Sequence, residues 1–508
     1  MTDHATKVSP SPVQNTKPLP AVVWACLLLS LVVFFAHTAP GSVCDQSNFA
    51  LVESLLEKGS FRIEESSPYF NRWDMAFYQG HFYCGKQPLL ALSSVAVLFP
   101  VHLFLRFDTE AGRAVLYYLA VLIGNAGALL LLLAFLRRAF VLVGVLDKRC
   151  DWVLAYIFLG SIILPFSGTY NTGLMEAALL TGAFTCLLDY RVSHRESSPV
   201  ICGLLLGASA LLHLFSGVIF MGLTAVYFLF SRVKDLFRFL MLACFMVLIG
   251  IGINQIEHGN PKPFYMMTET YIYEKSPRLF IPKLSNLSEK QLTQRLDELG
   301  LPSWQKIVTL DAYWKYKKSV SNIFEFAREN LVTRDFLNLT PIFFAGILSI
   351  LQLFFDKAFR FKREALWVLM GTVAAYVGLL VTRSDAGWSF GNRYLIPVIP
   401  LITFFTVFYF KEERNMRFFK LTFWVAFAMM VPGIIQAWRP PSPVFSKWNL
   451  WANVVILGTH FLSYGISGIS SGIRAVDDFF ARYPWAGAIL VAALFRIQIS
   501  LFAGQVFF

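Results

Sequence analysis

The side chains best suited to chemistry lie in two short polar stretches, each leading into an apolar run. The first, "DMAFYQGHFYCGKQPLL" at 74–90, sets Asp74, His81, Tyr83 and Lys86 against hydrocarbon. The second, "TRSDAGWSFGNRYLIPVIPL" at 382–401, holds Arg383, Asp385, Arg393 and Tyr394. A charge at the mouth of an apolar helix is costly enough to need a reason. Lys86 and Arg393 are suited to a phosphate, lysine as a point charge and arginine through its planar fork. Asp45, just past the first apolar run, and Asp74 are carboxylates that can take the proton of a hydroxyl, which is worth roughly 10²–10⁴ in rate. Each has a plainer reading, as a snorkelling anchor at a helix end or a solvated loop residue.

The elements that must position them are membrane helices. Of 508 residues, 56% are hydrophobic and 15% charged, with a mean hydropathy of +0.57. Soluble chains carry about one-quarter charged residues. Apolar runs recur near 21–39, 89–105, 114–136, 152–166, 171–189, 200–217, 219–231, 236–254, 336–355, 365–381, 394–410, 417–437, 450–466 and 485–503. They predict an all-α polytopic protein with about 11 to 14 crossings. The net charge of +12 does not point to nucleic acid. Its cations cluster in short loops such as "DYRVSHR", "SRVKDLFR", "DKAFRFKR" and "KEERNMR", the distribution of cytoplasmic loops. The loops at 40–88, 255–335, 382–393 and 438–449 then face outward, together with both polar stretches. One conflict remains: two apolar runs separate Lys86 from the cationic "LRR" at 136–138. Either the run at 89–105 only dips into the membrane, or "LRR" faces outward.

Residues 1–20 read as a disordered cytoplasmic tail, 21–410 as one transmembrane module, and 411–508 as further membrane helices of unclear role. Segment 45–57 has Phe49, Val52, Leu55 and Leu56 on one helical face, as a helix lying on the membrane surface would. Another surface helix is expected within 255–335, at "SEKQLTQRLDELG". Cys44 and Cys84 share an outer loop and can pair in an oxidising compartment. No two histidines have metal-ligand spacing; His102, His213 and His460 read as core residues.

At these residues the chain resembles a known family. "RWDMAFYQGHFYCGKQPLLALSSVAVLFP" is similar to the first external loop of bacterial GT-C glycosyltransferases, which include protein O-mannosyltransferases and aminoarabinose transferases. Many members show an Asp, a Gly-His/Xaa-Xaa-Tyr and a Lys-Xaa-Pro before the second membrane helix. Here these are Asp74, Gly80 to Tyr83, and Lys86 to Pro88. "WSFGNRYLIPVIPL" is similar to a late Gly-Xaa-Arg-Tyr-Leu-Xaa-Pro segment of the same group. The likeness spans roughly residues 20 to 410.

The resemblance implies a GT-C-like helical bundle whose external loop bears surface helices. It implies a polyprenyl-phosphate-linked sugar as donor, used on the non-cytoplasmic face of a bacterial inner membrane. Asp45 matches the acid after the first membrane helix, although "CDQ" replaces the usual acid pair and keeps Asp74 as the alternative base. Lys86 matches the lysine on the donor phosphate, and Arg393 and Tyr394 match late residues near it. Tyr83 and His81 complete the loop motif as substrate-binding candidates, His81 being equally readable as a structural hydrogen-bonding residue. Glu176, in "SGTYNTGLMEAALL", corresponds loosely to an acid that some members carry. A divalent metal is compatible with the family, but Gly85 stands where aminoarabinose transferases place a metal-binding glutamate. The acceptor is a lipid, glycan or protein hydroxyl, and the reaction an inverting displacement. The rival reading is a transporter or flippase of a phosphate-bearing lipid or solute.

Overall fold

The computed structural model describes residues 17–38, 40–70, 75–264, 288–298, 306, 310, 341–382, 393–409 and 413–435. Asp74, Arg383, Asp385, most of the 255–335 loop, the first 16 residues and the chain beyond 435 lie outside them, so the expectations made there are not addressed by the fold.

Most apolar runs become helices: α1 (Ala21–Phe35), α4 (Glu110–Leu142), α5 (Lys148–Leu159), α6 (Ile163–Phe166), α7 (Gly173–Ser193), α8 (Ser197–Leu212), α9 (Leu214–Leu229) and α10 (Val233–His258). After a short polar α11 (Glu289–Glu298) come α12 (Pro341–Phe355), α13 (Lys362–Thr382), a 3-10 turn at Arg393–Leu395, α14 (Ile399–Phe404), α15 (Thr406–Tyr409) and α16 (Glu413–Ile435). Between α1 and α4 lie α2 (Val43–Lys58), a hairpin of β1 (Met75–Tyr78) and β2 (His81–Cys84), and α3 (Leu89–His102). Local chemistry fixes the boundaries. Thr109 caps α4, accepting from the Gly112 N–H at 3.0 Å, with Glu110 in the first turn. Gly259 ends α10 at φ 74, a left-handed conformation that glycine adopts without a Cβ clash.

Helix α8 is the spine, in contact with α7, α9 and α10. A Cβ on Gly203 would lie 2.3 Å from the Phe239 carbonyl oxygen, and one on Gly207 2.5 Å from Met246 Cβ. The "GLLLG" spacing therefore presents a groove that α10 fills at backbone distance, as small residues four apart do between apolar helices.

The two ends of the bundle differ. At one end Arg138 meets Asp189 at 2.8 Å, Arg238 meets Asp235 at 3.0 Å, and Tyr190 donates to Asp235 at 2.8 Å. The same end holds the start of α1, where Arg137 donates to the Leu19 carbonyl at 2.8 Å. The opposite end carries α2, the hairpin and α3.

This arrangement removes the conflict over "LRR". Helix α3 has 14 residues, with Pro100 inside it, so it is only about 21 Å long. Just beyond it, the Phe107 N–H donates to Glu57 Oε1 of α2 at 3.2 Å and the Phe107 ring packs on Phe49 at 5.8 Å. Both ends of α3 thus belong to the hairpin end, and the run at 89–105 does not traverse the bundle. Helix α4 alone carries the chain to the arginine-rich end.

The expectation for 45–57 is also corrected. The segment is helical, but Ser47 to Val52 are all buried, so α2 packs inside the protein instead of lying on a surface. Phe49 is its hub, with Tyr117 at 5.0 Å, Tyr69 at 5.1 Å and Tyr170 at 5.9 Å around it.

Leucine at Gly203 or Gly207 is expected to lower Tm in lipid nanodiscs, because overpacking costs about 1–3 kcal/mol. Gly252→Ala, on open space in α10, should leave Tm unchanged. Equal Tm values for all variants would refute the groove.

Candidate functional site

The hairpin turn at Gln79 and Gly80 has φ 47 and 85. Two left-handed residues in a row make the turn that matches strand twist. The register pairs Met75 with Cys84 and Ala76 with Tyr83, so the faces separate. Tyr78 and Tyr83 pack on Phe264, with His258 against all three rings. His81, at the tip, is exposed. On the other face Cys84 lies against α2, its Sγ 3.5 Å from Ser47 Oγ and 3.6 Å from Asn48 Oδ1.

Cys84 accepts the backbone N–H of Lys86, and burial pushes its thiol up to about 12. It is a neutral tether that fixes the start of the Lys86 loop on α2. Cys44 is likewise a thiol, and Asn48 spans the two, its Nδ2 3.7 Å from Cys44 Sγ. The structure has two thiols where a disulfide was allowed.

Asp45 is fully buried in the first turn of α2. Its N–H donates to Ser42 Oγ at 3.1 Å, and its Oδ2 accepts from the Gly41 N–H and the Tyr117 hydroxyl, each at 3.3 Å. This reciprocal bonding is a helix cap. Asp45 therefore holds the entry of α2 whatever else it does.

The second polar assembly lies where α8 turns into α9. His213 occupies the junction in extended backbone, φ −149 and ψ 99, and Ser216 follows in the first turn of α9. His213 Nδ1 lies 3.0 Å from Ser216 Oγ. Ser216 Oγ donates to Glu176 Oε1 of α7, which is 3.7 Å from His213 Nδ1. Tyr394 stacks on the His213 ring at 5.9 Å and 27°. The Arg393 guanidinium lies over the Tyr394 ring at 5.3 Å. Lys86 and Arg393 both act electrostatically on His213. Glu176, Arg393 and Tyr394 are thus brought together around one imidazole.

Beside Lys86 is a small recess lined by Gly85 to Pro88, Asn254, Glu257, Pro263 and Phe264. Among the described residues, Glu257 Oε1 and both ring nitrogens of His258 have no hydrogen-bond partner. Two cations, a cleft and a buried carboxylate suit a phosphate with a hydroxyl-rich substituent. Among the described residues no three His, Cys, Asp or Glu side chains gather as around a metal ion.

Sequence reasoning missed His213, Ser216, Asn254 and Glu257. Drawing the apolar run through 200–217 buried "LLHLFSG" in a single helix, whereas the helix breaks at His213. A His-Xaa-Xaa-Ser at the meeting of two apolar runs was the available signal. "INQIEHG" offered another, a polar cluster just before a helix-ending glycine.

No family model matches the chain, and no curated protein matches its sequence. Solved structures similar to it include the Archaeoglobus fulgidus oligosaccharyltransferase in complex with zinc and sulfate, at 16% identity and a TM-score of 0.46, covering 91% of this chain and 57% of that one. The same organism's oligosaccharyltransferase AglB, with an inhibitory peptide and a dolichol-phosphate, gives 14% identity and 0.42 over 91% and 59%. ArnT from Cupriavidus metallidurans bound to undecaprenyl phosphate gives 12% identity and 0.45 over 95% and 75%. The chain therefore spans less than two-thirds of the length of the oligosaccharyltransferases it is similar to.

Proposed function

We propose that this chain is a multi-pass membrane glycosyltransferase. It moves a sugar from a polyprenyl-phosphate donor to a lipid, glycan or protein hydroxyl on the non-cytoplasmic face. The observation that carries the reading is the meeting of Arg393 and Tyr394, from a loop that the sequence motifs had singled out, with His213 and Glu176 at the hairpin end of the bundle. Cations held by a folded frame at the end of an apolar bundle suit the phosphate of a lipid.

A membrane setting is supported by α10, which is 26 residues long and exposes Phe237, Met241, Phe245 and Leu248 along one side. Such an apolar stripe is unfavourable in water and ordinary in lipid. With the arginine-rich end cytoplasmic, the hairpin end faces the periplasm or exterior of a bacterial inner membrane.

In the reaction, Lys86 and Arg393 bind the donor phosphate and stabilise the charge that grows on it as the glycosidic bond breaks. A carboxylate, Asp45 or Asp74, takes the proton of the acceptor hydroxyl as that oxygen attacks the anomeric carbon from the opposite face. For Asp45 this requires its carboxylate to exchange the Tyr117 hydroxyl for the acceptor. Glu257 and Asn254, beside Lys86, are the polar groups nearest to hand for the sugar.

With purified protein in lipid and a panel of polyprenyl-phosphate sugars, free polyprenyl phosphate should be released in the presence of envelope acceptors and detected by mass spectrometry. Lys86→Ala and Arg393→Ala should each lower kcat/KM by about 10²-fold or more. Asp45→Asn keeps an acceptor for the Gly41 N–H, so loss of turnover without loss of Tm would mark Asp45 as the base; loss confined to Asp74→Asn would choose the other. Lipid-phosphate binding without release from any donor would instead indicate transport.

Topology is tested separately. A membrane-impermeant maleimide added outside should label His81→Cys and not Arg138→Cys. The reverse pattern would overturn the orientation.

A further inference from the structure

The hairpin end of α10 carries a polar pair to which the proposed transfer gives no definite task. Asn254 and Glu257 are three residues apart and so share one face of the helix. Each is only 6% exposed, and both line the recess beside the loop from Gly85 to Pro88. Asn254 Nδ2 donates to the Pro261 carbonyl at 3.2 Å, which fixes the amide and leaves its second N–H for another acceptor. Among the described residues Glu257 Oε1 has no hydrogen-bond partner. A buried acceptor left unsatisfied is costly, so one that persists calls for an explanation.

The rest of the recess is apolar and is set by the turn that follows. Gly259 takes the left-handed conformation, and Asn260 Oδ1 accepts the Lys262 N–H at 3.0 Å. This turn brings Pro263 and Phe264 back against the end of α10. Phe264 is held there by the His258 ring at 4.1 Å and the Tyr83 ring of β2 at 5.3 Å. The recess thus sets a carboxyl and an amide against a proline and an aromatic ring. It is small, with room for one substituent and not for a whole sugar ring.

That combination selects a chemistry. An ammonium donates but cannot accept from Asn254. A second carboxylate would accept from Asn254 but meet Glu257 as another acceptor. A hydroxyl does both, donating to Glu257 and accepting from Asn254, and the apolar wall suits the C–H edge beside it. We infer that Glu257 sets sugar specificity by accepting a hydrogen bond from one hydroxyl of the transferred sugar or of a glycan acceptor, with Asn254 donating to the same oxygen. This rests on the proposed transferase reading. It adds that the substrate carries a hydroxyl, and not an ammonium, at the position that enters the recess.

The test uses the full chain in nanodiscs and compares wild type with Glu257→Gln and Glu257→Leu. Without substrate, neither variant should lower Tm, because the carboxyl oxygen has no partner to lose. A fall in Tm shared by both would mean that the protein itself satisfies the carboxyl, and would overturn the inference. Turnover is then measured on the donor that wild type uses and on its mono-deoxy analogues. A site built to bind a hydroxyl rejects the analogue lacking it. One deoxy position is expected to lower wild-type kcat/KM by about 10-fold or more. Glu257→Leu should lose a similar factor on the parent donor and nothing further on that analogue, while Glu257→Gln, which still accepts, keeps much of the discrimination. The same series made in the acceptor distinguishes the two sources of the hydroxyl. Discrimination that survives in Glu257→Leu at every position of both substrates would overturn the inference and leave the transferase reading intact. A wild-type preference for an amino group at the position concerned would overturn the hydroxyl assignment.

Binding gives a readout that needs no turnover. Native mass spectrometry would compare undecaprenyl phosphate with its glucosyl, galactosyl, mannosyl and xylosyl derivatives. Wild type should bind at least one derivative more tightly than the bare phosphate, and Glu257→Leu should lose about tenfold on it while binding undecaprenyl phosphate as before. Equal losses on the derivatives and the bare phosphate would overturn the inference, since the carboxyl would then not be reading the sugar. A loss specific to the sugar, in a protein that turns over no donor, would refute the transferase reading and leave sugar recognition by Glu257 standing.

Discussion

Gathering Arg393, Tyr394 and Glu176 about one imidazole, on the edge of an apolar bundle, is the constraint around which this structure is organised. Lys86 and Arg393 are more than 300 residues apart in the sequence and repel one another when brought together. Glu176, buried in the first turn of α7 and held through Ser216, lies beside the imidazole. A hydroxyl between a carboxylate and an imidazole satisfies both partners and fixes the ring at once.

The frame behind this cluster is rigid for reasons set by single residues. Gly203 and Gly207 let α8 approach α10 at backbone distance, which places the α8–α9 junction and its histidine. Cys84 ties the Lys86 loop to Ser47 and Asn48 of α2, and Phe49 ties α2 to Tyr117 and Tyr170. The polar residues therefore stand on packed aromatic and small-residue contacts, not on loops alone. An interior of this density transmits small shifts instead of absorbing them.

Much of the architecture was legible in the chain. Hydrophobic run length gives the helices of the bundle, and the distribution of arginine marks one of its ends. The two polar motifs named Lys86, Arg393 and Tyr394, because charges at helix mouths stand out from their surroundings. What was hidden is instructive. An apolar run does not say whether it crosses or returns, so α3 was ambiguous until Glu57 was seen to accept from Phe107. Phe49, Val52, Leu55 and Leu56 fit an amphipathic surface helix, yet Ser47, Asn48 and Leu51 are buried as well, because small polar side chains bond to a thiol across the interface. His213 was missed because hydropathy averages over the one residue at which the chain turns.

The placement of the Lys86 cleft on α10 has a further consequence. Asn254 and Glu257 line that cleft, while Ile256, between them in sequence, is among the most exposed side chains of the helix. One turn of α10 thus has polar chemistry on one side and hydrocarbon on the other. In a bilayer the charged recess and the surrounding acyl chains are separated by the width of a single helix. On the proposed reading, a donor with a long isoprenoid tail would arrive sideways, its head crossing one helical turn while its tail stays in the lipid. The length of that tail then adds little to the work of docking, and recognition falls to the phosphate and the sugar.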